Sequence, residues 1–74
     1  MTDYRNHIEI KSDVRFGKPC VKSTRISVAD VLGWLATGME TREIINDFPE
    51  LSEEDVYACL AYAADREHRI RVIS

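Results

Sequence analysis

Polar and apolar residues alternate over His7-Ile8-Glu9-Ile10-Lys11, the period-two signature of a half-buried strand. Ser12-Asp13 follows as a turn signal, and Val14-Arg15-Phe16 reads as a second short extended piece. Gly17-Lys18-Pro19 turns the chain again and leads into an extended Cys20-Val21-Lys22. Pro19 belongs at the start of that strand because it has no N–H to give to a ladder. A small N-terminal antiparallel sheet or hairpin is the expected result. Residues 1–6 carry no pattern and are expected to be loosely held.

From Ser27 the period changes. Val28, Val31, Leu32 and Leu35 recur at helical spacing up to Gly38, with Ser27 as N-cap and Asp30 in the capping-box position. Thr41, Ile44, Ile45 and Phe48 repeat the pattern over a short second helix, which Pro49 ends. Ser52 caps a third helix, with Asp55 as its capping-box acid and Glu53 and Glu54 in the first turn. That helix is expected from Glu53 to about Glu67, and β-branched Ile70-Arg71-Val72-Ile73 reads as a short C-terminal strand. The fold class is therefore α+β and mainly α: a short N-terminal β element followed by a three-helix, helix-turn-helix unit. Flanking strands would make it winged-helix-like. Residues 1–74 form one domain, divided into a basic β region (1–26), the helical unit (27–68) and the C-terminal strand (69–74).

The third helix carries too much apolar surface for so small a chain. Val56 to Ala64 is nine apolar or aromatic residues in a row. Val56, Cys59, Leu60 and Ala63 make a core stripe, while Tyr57, Ala61, Ala64 and His68 make a second on another face. A chain of 74 residues buries only roughly 60% of its unfolded surface, so the second stripe is read as an isologous homodimer interface. The competing reading has the N-terminal sheet fold over it.

Charge divides the chain in the same place. Residues 1–27 carry six basic residues against Asp3, Glu9 and Asp13, whereas residues 28–65 carry Arg42 alone against nine acids. Nucleic acid, if bound, is therefore expected at Lys18, Lys22 and Arg25, with Arg15 or Arg42 nearby. For the lysines the competing reading is a solvated strand face. For Arg25 it is an ion pair with Asp30 or Asp47 that ties sheet to helices. The third helix itself suits DNA poorly, because Ser52, Glu53, Glu54 and Asp55 stand where a recognition helix meets phosphates.

Catalytic and cofactor chemistry finds little footing. The glycines of a phosphate loop are missing ahead of Lys18 and Lys22, and Pro19 removes a donor. Cys20, Cys59, His7 and His68 lack metal-ligand spacing. The acids cluster at helix starts, no glycine-flanked Ser is present, and no Cys–His pairing stands out. No enzyme activity, metal or cofactor is expected. Two cysteines are too few for a disulfide framework, and neither a signal peptide nor a membrane-spanning run is legible, so the expected setting is cytoplasmic.

Gly17-Lys18-Pro19, Thr24-Arg25-Ile26, Val28, Gly38, Ile44, Pro49-Glu50-Leu51, Asp55-Val56 and Leu60-Ala61-Tyr62-Ala63-Ala64-Asp65 together resemble the small bacterial family called domain of unknown function 433. The resemblance covers roughly residues 8 to 66. It implies a helix-turn-helix-like fold with a short N-terminal β element, usually dimeric. It also implies an antitoxin of a type II toxin–antitoxin pair, often encoded beside a PIN-like ribonuclease toxin. Three positions depart from the family pattern: Ser23 and Phe16 stand where Gly is usual, and Glu40 replaces a Ser or Thr cap, for which Thr41 is the substitute.

Together these readings describe an antitoxin that dimerises, neutralises its toxin and represses its own operon by binding operator DNA. An acidic surface of Glu43, Asp47, Glu50, Glu53 and Glu54 would face a basic toxin. The alternative is a protein-interaction or dimerisation module without nucleic-acid contact.

Overall fold

A computed structural model describes residues 4–11 and 15–73. Two three-residue strands, β1 (Ile8–Ile10) and β2 (Pro19–Val21), pair antiparallel with Ile8 opposite Val21 and Ile10 opposite Pro19. Three helices follow: α1 (Val28–Ala36), α2 (Thr41–Asp47) and α3 (Glu53–Ile73). Each helix packs on the other two, β2 packs on α1, and β1 packs on α3. The fold is thus mainly α with a two-stranded β element ahead of the helices, as the periodicities predict. The turn expected at Ser12-Asp13 and residue Val14 lie outside the described residues.

Local chemistry accounts for each helix boundary. Ser27 accepts the Asp30 N–H at 3.0 Å, and Asp30 accepts the Ser27 N–H at 3.2 Å. Ser52 and Asp55 repeat the device at 3.1 and 2.9 Å, so both long helices begin on reciprocal capping boxes. α1 ends in a Schellman motif, with the Gly38 N–H on Leu35 O at 3.0 Å and the Met39 N–H on Trp34 O at 3.2 Å. Gly38 takes the left-handed φ of 99° that this motif needs. At α2 the N-cap is Glu40 rather than Thr41, and its N–H is held by Glu43 Oε1 at 2.9 Å.

The core lies where the three helices meet. Val31, Ile44, Val56, Ala58 and Cys59 have no exposed surface, and Val21, Val28 and Leu51 close it. Trp34 stacks on Phe48 with ring centroids 4.3 Å apart, joining α1 to the end of α2.

Four local readings are corrected. Ile70–Ile73 continues α3 instead of forming a strand. No Gly or Pro interrupts the run from Glu53, and the helix satisfies its backbone groups without a partner strand, against a β-branched penalty of only about 0.5 kcal/mol per residue. Arg15–Gly17 is a 3-10 turn rather than extended chain; the consecutive positive φ values of Phe16 (58°) and Gly17 (80°) reverse the backbone so that Pro19 can reach Ile10. Tyr4–Asn6, expected to be loose, forms a 3-10 turn anchored by the Tyr4 hydroxyl donating to Asp65 Oδ2 at 2.6 Å. Ile10 is 61% exposed because β1 ends at the edge of a two-strand sheet.

Ser23 (φ 65°) and Phe16 are the non-glycine residues with positive φ among the described residues, and both stand where glycine is usual in the resemblance. An L-residue in this region costs about 1–2 kcal/mol, offset by about 0.5–1 kcal/mol of glycine's extra unfolded-state freedom. Ser23→Gly and Phe16→Gly are each expected to raise stability by about 0.5–1 kcal/mol, read as a higher urea midpoint at unchanged slope. Ser27→Ala is expected to lower it by about 1–2 kcal/mol in the same assay.

Candidate functional site

The segment Val21–Ser27 joins sheet to helices. Thr24 closes its turn from both sides, its hydroxyl donating to Val21 O at 2.9 Å and accepting the Ile26 N–H at 3.0 Å. The Val21 N–H reaches Ile26 O at 2.9 Å, and Cys20 bridges to Ser27. This second antiparallel contact lets both Cys20 and Val21 be buried, each 2% exposed. Lys22, Ser23 and Arg25 are left on the outside of the turn.

Lys18 is exposed at the start of β2 and, with Pro19, Val28, Leu32, Tyr62 and Arg66, lines a groove of about 340 Å³ between β2, α1 and α3. The groove brings Lys18 together with Arg66, a cation that periodicity and motif did not single out. Arg66 lies over the Tyr62 ring, 5.6 Å from its centroid, and donates to the Tyr62 hydroxyl at 3.1 Å. Arg42 stands apart from that groove: it is exposed on α2, donates to Glu40 Oε2 at 3.2 Å, and borders a shallow cleft with Glu43 and Pro49. Phe16, beside Lys18 in the chain, is wholly exposed.

All five acids singled out for a protein partner are exposed. Glu43 serves the α2 cap, and Glu53 and Glu54 complement the start of α3. Asp47 and Glu50 have no such explanation. Asp47 is the last residue of α2, where a negative charge opposes the helix dipole, and Glu50 sits in the turn to α3.

The face of α3 turned to the core is not the predicted one throughout. Val56 and Cys59 are buried as expected, but Leu60 is 43% exposed and Ala58 fully buried. The N-terminal segment packs on one side of α3. His7 Nδ1 lies 2.9 Å from Asp55 Oδ1, and the Tyr4 ring meets Tyr62 edge-on at 5.5 Å. These contacts lie on the Asp55–Tyr62 side of α3, and Leu60 is on another side. They leave the Tyr57 side open: Tyr57 is 46% exposed, Ala64 and His68 are exposed, and Ala61 is half-buried. The N-terminal sheet does not fold over this stripe.

Cys59 is chemically quiet. Burial, then the negative charge of Asp55 one turn earlier, pushes its thiol from 9.0 up to about 12. Among the described residues no three His, Cys, Asp or Glu side chains gather as a metal site, and no helix is long and apolar enough to cross a membrane.

With this geometry, the chain matches the family described as protein of unknown function (DUF433) over residues 8–63. It belongs to that family. A crystal structure of a DUF433 member protein from Anabaena variabilis ATCC 29413, at 2.00 Å resolution, superposes with a TM-score of 0.80 at 27% identity. The match covers 90% of this chain and 66% of that one, so the present chain spans about two thirds of its neighbour's length. No curated protein matches the chain.

Because the folded thiol of Cys59 keeps its proton above the pH at which an unfolded one loses it, folding is favoured less as pH climbs. The expected result is a loss of stability beginning near 9.0 and continuing towards about 12. A Cys59→Ala variant should lack that component in urea titrations across the same pH range.

Proposed function

We propose that this chain is the antitoxin of a type II toxin–antitoxin pair, acting by binding rather than catalysis. As a homodimer it would neutralise a basic, PIN-like ribonuclease toxin and repress its own operon. The observation that carries the protein-binding part is the exposure of all five acids Glu43, Asp47, Glu50, Glu53 and Glu54, on α2, the turn after it and the first turn of α3. Helix capping accounts for three of these charges. Asp47 and Glu50 lie where capping gains nothing from them, which is expected of residues kept for a cationic partner.

The DNA-binding part has a different support, the exposed cations Lys18, Lys22 and Arg25 on the basic third of the chain. Arg42, which donates to Glu40, stands on α2 apart from these three. A specific observation favours the second reading, a protein-interaction module without DNA contact. The exposed first turn of α3 bears Glu53 and Glu54 where a recognition helix would meet phosphates.

The test is co-purification with the protein encoded beside it. Asp47→Lys with Glu50→Lys is expected to weaken toxin binding about tenfold or more without unfolding the chain, as measured by titration calorimetry. Unchanged affinity would remove these acids from the interface. For DNA, a gel shift on the upstream region should weaken steeply with salt and after Lys18→Ala, Lys22→Ala and Arg25→Ala. No shift at low salt would select the second reading.

A further inference from the structure

Phe16 combines two properties that folding alone gives no reason to keep. Its backbone is left-handed, at φ 58° and ψ 37°, where a bulky L side chain is an outlier. Its side chain is 100% exposed, so no packing within the chain offsets that conformation. Strain of this kind clusters where a residue acts on something outside the fold. The turn that holds Phe16 reverses the chain between β1 and β2, so the ring stands at one end of the hairpin. Ile10 opposite Pro19 is the last pair of the ladder, and Lys11 follows the one as Lys18 precedes the other, at that same end. Both lysines are exposed, and Lys11 lies 3.5 Å from Glu9. The connecting segment adds Asp13 and Arg15, whose charges cancel. Among the described residues, Phe16 and Ile10 (61%) are the two most exposed large apolar side chains.

An exposed aromatic ring among cations is complementary to a polyanion that also offers flat apolar surface. Duplex DNA offers both, phosphates along the rims of the minor groove and base steps between them. A basic protein, the partner that the acids of α2 and α3 suit, would be repelled by these lysines. We infer that Phe16 is a wedge that enters between two base pairs of operator DNA from the minor groove, unstacking them and bending the duplex, while Lys18 and Lys22 contact the flanking phosphates. This rests on the DNA-binding part of the proposed function and adds the residue that touches the bases. Phosphate contacts carry no sequence information, whereas a wedge favours the easily kinked pyrimidine–purine steps. Phe16 thus gives the chain a means of selecting its site that does not use α3, whose first turn carries Glu53 and Glu54.

The test compares the wild-type chain with Phe16→Gly, Phe16→Leu and Lys18→Ala on a duplex of the upstream region labelled at both ends for energy transfer. Phe16→Gly removes the ring and the strain together, so a failure to fold does not account for its effect. Wild-type binding is expected to bring the duplex ends closer. Phe16→Gly should bind about tenfold more weakly and leave the saturated duplex straight, although it resists more urea. Phe16→Leu keeps an apolar wedge and should keep the bend. Lys18→Ala should bind more weakly, with a salt slope reduced by about one, yet bend the duplex fully at saturation. Wild-type binding without a bend, or a Phe16→Gly variant that binds and bends as the wild type does, would overturn the inference and leave DNA binding standing. If Phe16→Gly instead loses the co-purifying protein while DNA binding is unchanged, the ring belongs to a protein contact and the inference is likewise overturned. No DNA binding by the wild type would remove the DNA-binding reading itself, and the wedge with it.

Discussion

The carboxylate of Asp55 holds two parts of this molecule together. One oxygen accepts the Ser52 N–H and so starts α3; the other meets His7, which leads into β1. The helix that places Val56, Ala58 and Cys59 in the core is thus tied through this side chain to the residue that leads into the hairpin, beside the contacts Tyr4 makes with Asp65 and Tyr62. A two-strand hairpin is marginal by itself, and a helix takes most of its stability from tertiary packing. Each is stabilised by being fixed to the other. The same charge, one turn before Cys59, helps keep that thiol protonated in the core.

The hairpin's other attachment is covalent continuity through Val21–Ser27. There the backbone leaves β2, turns at Ser23 in a left-handed conformation, and returns to bridge Cys20 before α1 begins. Ser27 is both the last residue of the bridge and the N-cap of α1, which explains why a polar residue is only 1% exposed in so small a core. Its hydroxyl and its N–H are both satisfied by Asp30, so burial costs it little. The basic residues around this turn are exposed because every apolar residue in it, from Cys20 to Ile26, faces inward.

Much of this was legible along the chain because caps and breakers are local. Ser27-Asp30, Ser52-Asp55, Gly38 and Pro49 each act within four residues, and the starts of α1 and α3 and the ends of α1 and α2 follow from them. What was not legible depends on contacts distant in sequence. Tyr4 and His7, some fifty residues earlier, pack on one flank of α3 through Tyr62 and Asp55, and Ala58 rather than Leu60 is buried. Nothing in the period of α3 carries that information. The end of α3 was misread for a different reason: β-branched residues weigh weakly against helix, and a strand requires a partner that this chain does not place there. The backbone at Ser23 and Phe16 lies between these cases, since the family pattern pointed to both positions but only φ shows the strain.

These constraints also divide the surface. The acids at the start of α3 are required for capping, so that end of the helix stays negative whatever the chain binds. The core takes Val56, Ala58 and Cys59, and the N-terminal turn takes the Tyr62 side, so only the Tyr57 side is left. Among the described residues no other element lies over it, and Tyr57, Ala64 and His68 are exposed. A phosphate backbone is unsuited to an apolar face whose leading turn is acidic. The cations at Lys18, Lys22 and Arg25 lie on the other attachment of the hairpin, the turn into α1. On the proposed function, nucleic-acid contact and protein contact would occupy separate elements of one small fold, with Arg25 on the turn that joins its basic part to its acidic part.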